Sequence, residues 1–151
     1  MQAQILAPAA ALVVWTLIVM LWVVLTRFPA LKAANIDLAS APPGGRGVNL
    51  EGVLPDKVQW KSHNYSHLLE QPTLFYASAV ILAIMGPSAL DVLLAWAYVA
   101  IRIVHSVWQA TVNRIPVRFM LFFLSSACLI VLGVHALMAT LLHSPATIAG
   151  A

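Results

Sequence analysis

Apolar positions in this chain fall in blocks too long for the stripe of a globular helix. Ile5 to Thr26 carries no charge, and about 20 apolar residues suffice for a helix to cross a bilayer core. Pro8 falls in the first turn of that block, where proline is tolerated. Ala89 to Val112 and Val117 to Leu142 are also long enough, the latter with Pro116 as a helix start. Thr73 to Met85 is too short alone. It spans only if its helix begins upstream near Trp60 or Lys61, which brings His63, His67 and Glu70 onto it. Gly86-Pro87-Ser88 then turns the chain tightly into the next block. The pattern predicts an all-α bundle of four transmembrane helices over about 5–26, 61–85, 89–112 and 117–142, a single domain occupying 1–151. The 27–60 segment holds Pro29, Pro42, Pro43, Pro55 and the Gly44-Gly45-Arg46-Gly47 cluster, and reads as an irregular polar loop with one short interfacial turn.

Composition agrees with a membrane setting: 62% of residues are hydrophobic and 9% charged, against about a quarter charged in soluble domains. No Lys or Arg precedes the first apolar block, which is also longer than a signal-peptide core, so it reads as a retained helix. The net charge of +3 does not point to nucleic acid, because the basic residues flank apolar blocks and form no basic run. Five of the eight Lys and Arg (Arg27, Lys32, Arg46, Lys57 and Lys61) lie between the first two helices, and Arg114 and Arg118 lie between the last two. The positive-inside rule therefore predicts both of these loops on the cytoplasmic side and both termini outside. Cys128, the single cysteine, sits in an apolar stretch and reads as a packing residue.

The informative polar residues are those inside the blocks, since an ionised side chain at the bilayer centre costs several kcal/mol, roughly, and is seldom there without a partner or a task. On the second helix His63, His67 and Glu70 follow i, i+4, i+7. On the third, Arg102, His105, Gln109 and Asn113 follow i, i+3, i+7, i+11, again one face. Glu70 and Arg102 lie at similar depths, about 20 Å from the 86–88 turn at 1.5 Å per residue. The economical expectation is a Glu70–Arg102 ion pair: either a clamp between helices, or part of a polar cavity open to the cytoplasm, to which His67, His105, Gln109 and Asn113 add donors and acceptors for a small anionic or zwitterionic ligand. No metal is expected, since the nearby arginine disfavours a cation. His135 and His143 read as packing or interfacial residues. Nucleophile-elbow, phosphate-loop and Cys-x-x-Cys templates are missing.

Arg102-Ile103-Val104-His105-Ser106, followed by Asn113-Arg114 and Pro116-Val117-Arg118, resembles the third helix and following loop of the MAPEG superfamily, the membrane-associated proteins of eicosanoid and glutathione metabolism. His67, Glu70, Pro72 and Phe75 form a looser version of the family's helix-two signature. The resemblance is to a bacterial branch. It implies a multi-pass protein of the bacterial inner membrane, a homotrimer of four-helix bundles embedded among membrane lipids, with glutathione or another low-molecular-weight thiol bound between subunits near the cytoplasmic face. By position it implies that Glu70 and Arg102 are core polar contacts, that His105 lines the site, and that Arg118 is the catalytic cation beside the thiol. This chain departs from the enzymes in three places: the glutathione-gripping arginines of helix two are His63 and Ser66, a tyrosine is Gln109, and Glu70 and Pro72 stand closer together. Each lost charged hydrogen bond weakens the grip on a charged tripeptide by ~1 kcal/mol or more. The implied function is thiol-dependent transfer or peroxide reduction on lipophilic substrates. The alternative is a non-catalytic lipid- or quinone-binding protein, or an accessory subunit of a larger membrane complex.

Overall fold

The computed structural model describes residues 2–40 and 43–142; Pro42 and His143 lie outside the described residues. Four helices run through it, α1 (Gln2–Ala33), α2 (Asp56–Met85), α3 (Ala89–Thr111) and α4 (Ile115–Leu141), each long and apolar enough to cross a membrane. Two short 3-10 turns, Leu38–Ser40 and Gly47–Leu50, interrupt the connector between α1 and α2.

The helix ends follow from local chemistry. α1 continues past Thr26 and through Pro29 to Ala33, beyond the end that proline spacing predicts. A proline inside a helix removes one bond and crowds the carbonyl four residues back, here that of Leu25, yet α1 carries on for four residues past Pro29. The stop comes at Asn35, in the left-handed region (φ 52°). There Ile36 N–H donates to the Leu31 carbonyl at 3.0 Å and Asn35 N–H to the Lys32 carbonyl at 3.1 Å, a Schellman closure. α2 starts at Asp56, earlier than Trp60, with Pro55 before it and an acid in the first turn to meet the helix dipole. Gly86 (φ 93°) ends α2. Ser88 and Asp91 then form a capping box, Asp91 N–H donating to Ser88 Oγ and Ser88 N–H to Asp91 Oδ2. Pro116 lies in the first turn of α4.

α1 packs on α2 and α3, and α4 packs on the same two from the other side. Ile5, Leu12 and Val19 of α1 repeat every seven residues into the core, where they meet Leu68 and Phe75 of α2, Tyr98 and Val99 of α3, and Leu129 and Leu132 of α4. Phe75 stacks on Tyr98 with ring centroids 4.4 Å apart. The outer surface is apolar, with Leu25, Ile84, Leu93, Ile130 and Leu141 each at least 65% exposed, as lipid-facing positions require. Close helix approach uses small residues: a Cβ on Gly133 would lie 4.0 Å from Ser78 Oγ, so this contact joins α4 to α2 within the chain.

The interior is polar at the end of the bundle bearing the α1–α2 connector and the α3–α4 loop, the basic end. Gln59, Asn64, Arg102, His105, Ser106 and Gln109 are all buried there. Ser106 Oγ accepts from Asn64 Nδ2 (2.8 Å) and from Trp15 Nε1 (3.0 Å), tying α1, α2 and α3 together. At the opposite end His135 Nδ1 donates to Asp91 Oδ1 at 2.6 Å, fastening α4 to the start of α3.

Candidate functional site

The chemistry gathers where α2, α3 and α4 meet at the basic end. A cleft of about 210 Å³ is lined by His67 of α2, His105 of α3, and Ile115, Arg118, Phe119 and Phe122 of α4. The two imidazoles face each other at 5.0 Å between centroids, and Phe122 closes over them at 5.5 and 6.5 Å. Arg118 stands at the mouth, its Nη1 donating to Asn113 Oδ1 at 2.8 Å. Asn113 can take that position because it adopts the left-handed conformation (φ 54°), which Asn visits more readily than most residues. The lining holds apolar walls and a cation but no carboxylate.

Arg102 sits behind the cleft with no exposed surface. Its Nη2 donates to the His67 carbonyl at 3.0 Å and lies 3.4 Å from His67 Nδ1. A carbonyl has two lone pairs, so His67 can accept this bond in addition to its helical one. Arg102 Nε and Nη1, His105 Nε2 and Gln109 Oε1 are buried without a protein partner. Such groups are rare and call for a bound molecule or ordered water.

The expected Glu70–Arg102 ion pair is not formed. Among the described residues the ion pairs are His63–Glu51 (2.9 Å) and His135–Asp91 (2.6 Å). Glu70 and His63 lie on the exposed side of α2. The physical reason is rotation: the inward face of α2 runs Asn64, Leu68, Phe75, Ala79 and Leu82, so the 63–67–70 stripe is turned away and only His67 borders the cleft. The α3 stripe does face inward, with Arg102, His105 and Gln109 all buried. Gln109 lies outside the lining, and Asn113 acts through Arg118.

Several contributors carry no sequence signal of their own. Tyr98 Oη donates to Gln71 Oε1 (3.4 Å), Gln71 Nε2 to Ser126 Oγ (2.7 Å), and Ser126 Oγ to the Phe122 carbonyl (2.7 Å). This relay crosses three helices and ends on the backbone of a cleft residue. The Asp91–His135 bond spans 44 positions of sequence. The capping-box spacing of Ser88 and Asp91 could have marked the acid, but not its partner.

Among the described residues no group of three or more His, Cys, Asp or Glu is placed to hold a metal ion. No curated protein and no solved structure matches the chain. A family model described as the MAPEG family matches residues 5–138, which takes in α2 and α3 whole, nearly all of α1 and α4, and every residue of the cleft. This multi-pass, all-helical membrane protein belongs to the MAPEG family.

Proposed function

We propose that the protein is a thiol-dependent transferase or peroxidase that presents glutathione, or another low-molecular-weight thiol, to lipophilic substrates. The observation that carries this reading is the cleft itself: a cation held by Asn113, two imidazoles, two phenyl rings and no carboxylate in the lining. A free thiol ionises near pH 8.5, and a neighbouring cation lowers that value. Arg118 would therefore favour the thiolate at neutral pH. In transfer, the thiolate attacks an electrophilic carbon, a C–S bond forms and the leaving group departs with its electron pair. In peroxide reduction, two thiols become a disulfide while the O–O bond is cleaved to an alcohol and water. Phe119 and Phe122 supply apolar walls for the lipophilic partner. Homotrimeric assembly, with the cleft completed by an adjacent subunit, belongs to the same proposal. Its support is the small volume of the cleft in one chain, about 210 Å³, at the low end for a ligand the size of a tripeptide.

The test is thiol binding to the purified protein, read in a stopped-flow instrument by the ultraviolet band of the thiolate. The expected result is saturable thiolate formation with millimolar glutathione or another cellular thiol. No band with any of them would remove the reading. It would leave a non-catalytic lipid- or quinone-binding protein, or an accessory subunit of a larger complex. The buried, off-cleft position of Gln109 favours that second reading, because it supplies no hydroxyl to the thiol. A stable hetero-complex surviving mild detergent would support the accessory role.

The basic end is proposed to face the cytoplasm, in a bacterial inner membrane, because seven of the eight Lys and Arg lie in or beside its two connections. Reporter fusions at the 86–88 turn should report the outer side and those in the 113–118 loop the cytoplasm. A cytoplasmic signal from the turn would overturn the assignment.

A further inference from the structure

A second and larger cleft, about 1030 Å³, opens between the last turns of α1 and the connector to α2. It shares no residue with the thiol cleft, so a ligand bound there would not occupy the proposed thiol site. One wall is apolar and belongs to α1, with Val23, Val24 and Phe28; Phe28 is 57% exposed. The other wall is polar and belongs to the connector, where Arg46 and the neighbouring glycines line the cleft. Arg27 stands where the two walls meet. It donates to Ser62 Oγ at 3.0 Å and to the Gly47 carbonyl at 3.1 Å. A guanidinium has five N–H donors, and among the described residues these two bonds engage two of them. Gly47 lets the guanidinium approach this closely, since a Cβ there would lie 2.9 Å from Arg27 Nη2. Asp37, the acid in the lining, already accepts a bond from Ala39 N–H at 2.9 Å. Two arginines against one aspartate leave the cleft with a net charge of +1.

The depth of these groups fixes the kind of ligand. Arg27 directly follows the uncharged block Ile5 to Thr26, so it lies where hydrocarbon gives way to headgroups. Val23 and Val24 close the uncharged block on the hydrocarbon side of Arg27, and Phe28 lies level with it, so the apolar wall runs from acyl-chain depth up to the cations. A soluble phosphate would meet the cations but leave the apolar wall unused. A zwitterionic lipid would fill the wall but bring no net negative charge. We propose that this cleft binds one anionic glycerophospholipid, its phosphodiester between Arg27 and Arg46 and an acyl chain along Val23, Val24 and Phe28.

The full-length protein, stripped of lipid in a neutral detergent, would be titrated with phosphatidylglycerol, phosphatidylcholine or glycerol 1-phosphate and examined by native mass spectrometry. Phosphatidylglycerol should form a one-to-one adduct at a concentration at least tenfold lower than phosphatidylcholine, and glycerol 1-phosphate should form none. R27Q/R46Q should lose the preference while melting like wild type. Should the double variant fail to fold, R46Q, at an exposed side chain, and G47A, which displaces the Arg27 guanidinium, should each reduce the preference. Equal adducts from the two lipids, or a preference unchanged in folded variants, would overturn the proposal. So would binding of glycerol 1-phosphate as tight as that of the lipid, which would make the site one for a free anion.

Discussion

Arg118→Ala should abolish thiolate formation and reduce turnover by about 10²–10³, the cost typical of removing one donor to a developing anion, while leaving the melting temperature in detergent unchanged. Arg118 is half-buried at the mouth of the cleft and bonds a loop residue, Asn113, rather than the core, so its loss removes charge without opening the bundle. Asn113→Ala should act in the same direction but more weakly. It keeps the cation and frees its position, so thiolate would still form with its apparent pKa moved upward. Arg118→Lys should retain part of the thiolate signal for the same reason. The pair of measurements separates charge from placement. Loss of the signal in Arg118→Ala with equal melting places the cation at the thiol. A full signal in that variant would move the anion-stabilising role to another group and sink the assignment of Arg118.

The second large effect concerns Arg102, and it runs against the intuition that a buried arginine holds a membrane bundle together. Its guanidinium has no exposed surface, meets one carbonyl and one imidazole, and has two nitrogens without a protein partner. No carboxylate bonds it among the described residues. Replacing a buried ion pair by apolar groups of similar volume is often neutral or stabilising by about 1–4 kcal/mol, and a guanidinium with no bonded carboxylate carries the desolvation cost with less attraction to offset it. Arg102→Met should therefore fold and melt no lower than wild type. Arg102→Ala, with a void where the methionine would lie, should fall about 2–5 kcal/mol below Arg102→Met. Thermal melts of the three proteins in one detergent decide it. An Arg102→Met protein that melts well below wild type would show that the guanidinium is met by an anion or carboxylate when the protein is in its membrane.

The α3 half of the site was legible in the sequence, and of the α2 half only His67 was. Arg102, His105 and Gln109 interrupt an apolar block at helical spacing, and in such a block a charged side chain has only the interior to go to. On α2 the polar residues are spread over more than one face. His63 finds Glu51 on the surface, Glu70 stays exposed, and the interior takes Asn64 and, partly buried, Gln71. Periodicity selects residues that share a face but does not say which face turns inward, and here the stripe with the most titratable groups is the outer one. The end of α1 misled in a similar way: Pro29 looks like a terminator, yet the stop is made by a left-handed Asn35, a weaker signal in the residue pattern than a proline. The number of long apolar helices needed no such detail, since length and hydropathy alone set it.

The bond between Asp91 and His135 also constrains the order in which the molecule is made. The acid emerges from the ribosome 44 residues before its partner, so during that interval its carboxylate has only Ser88 for company. An uncompensated acid favours the aqueous boundary, so the start of α3 is expected to stay at the membrane surface until α4 has crossed. Only then can His135 arrive and seat it. Insertion of α3 and α4 thus includes a fastening step, and a chain truncated within α4 ahead of His135 would reach the bilayer with that acid still unclaimed.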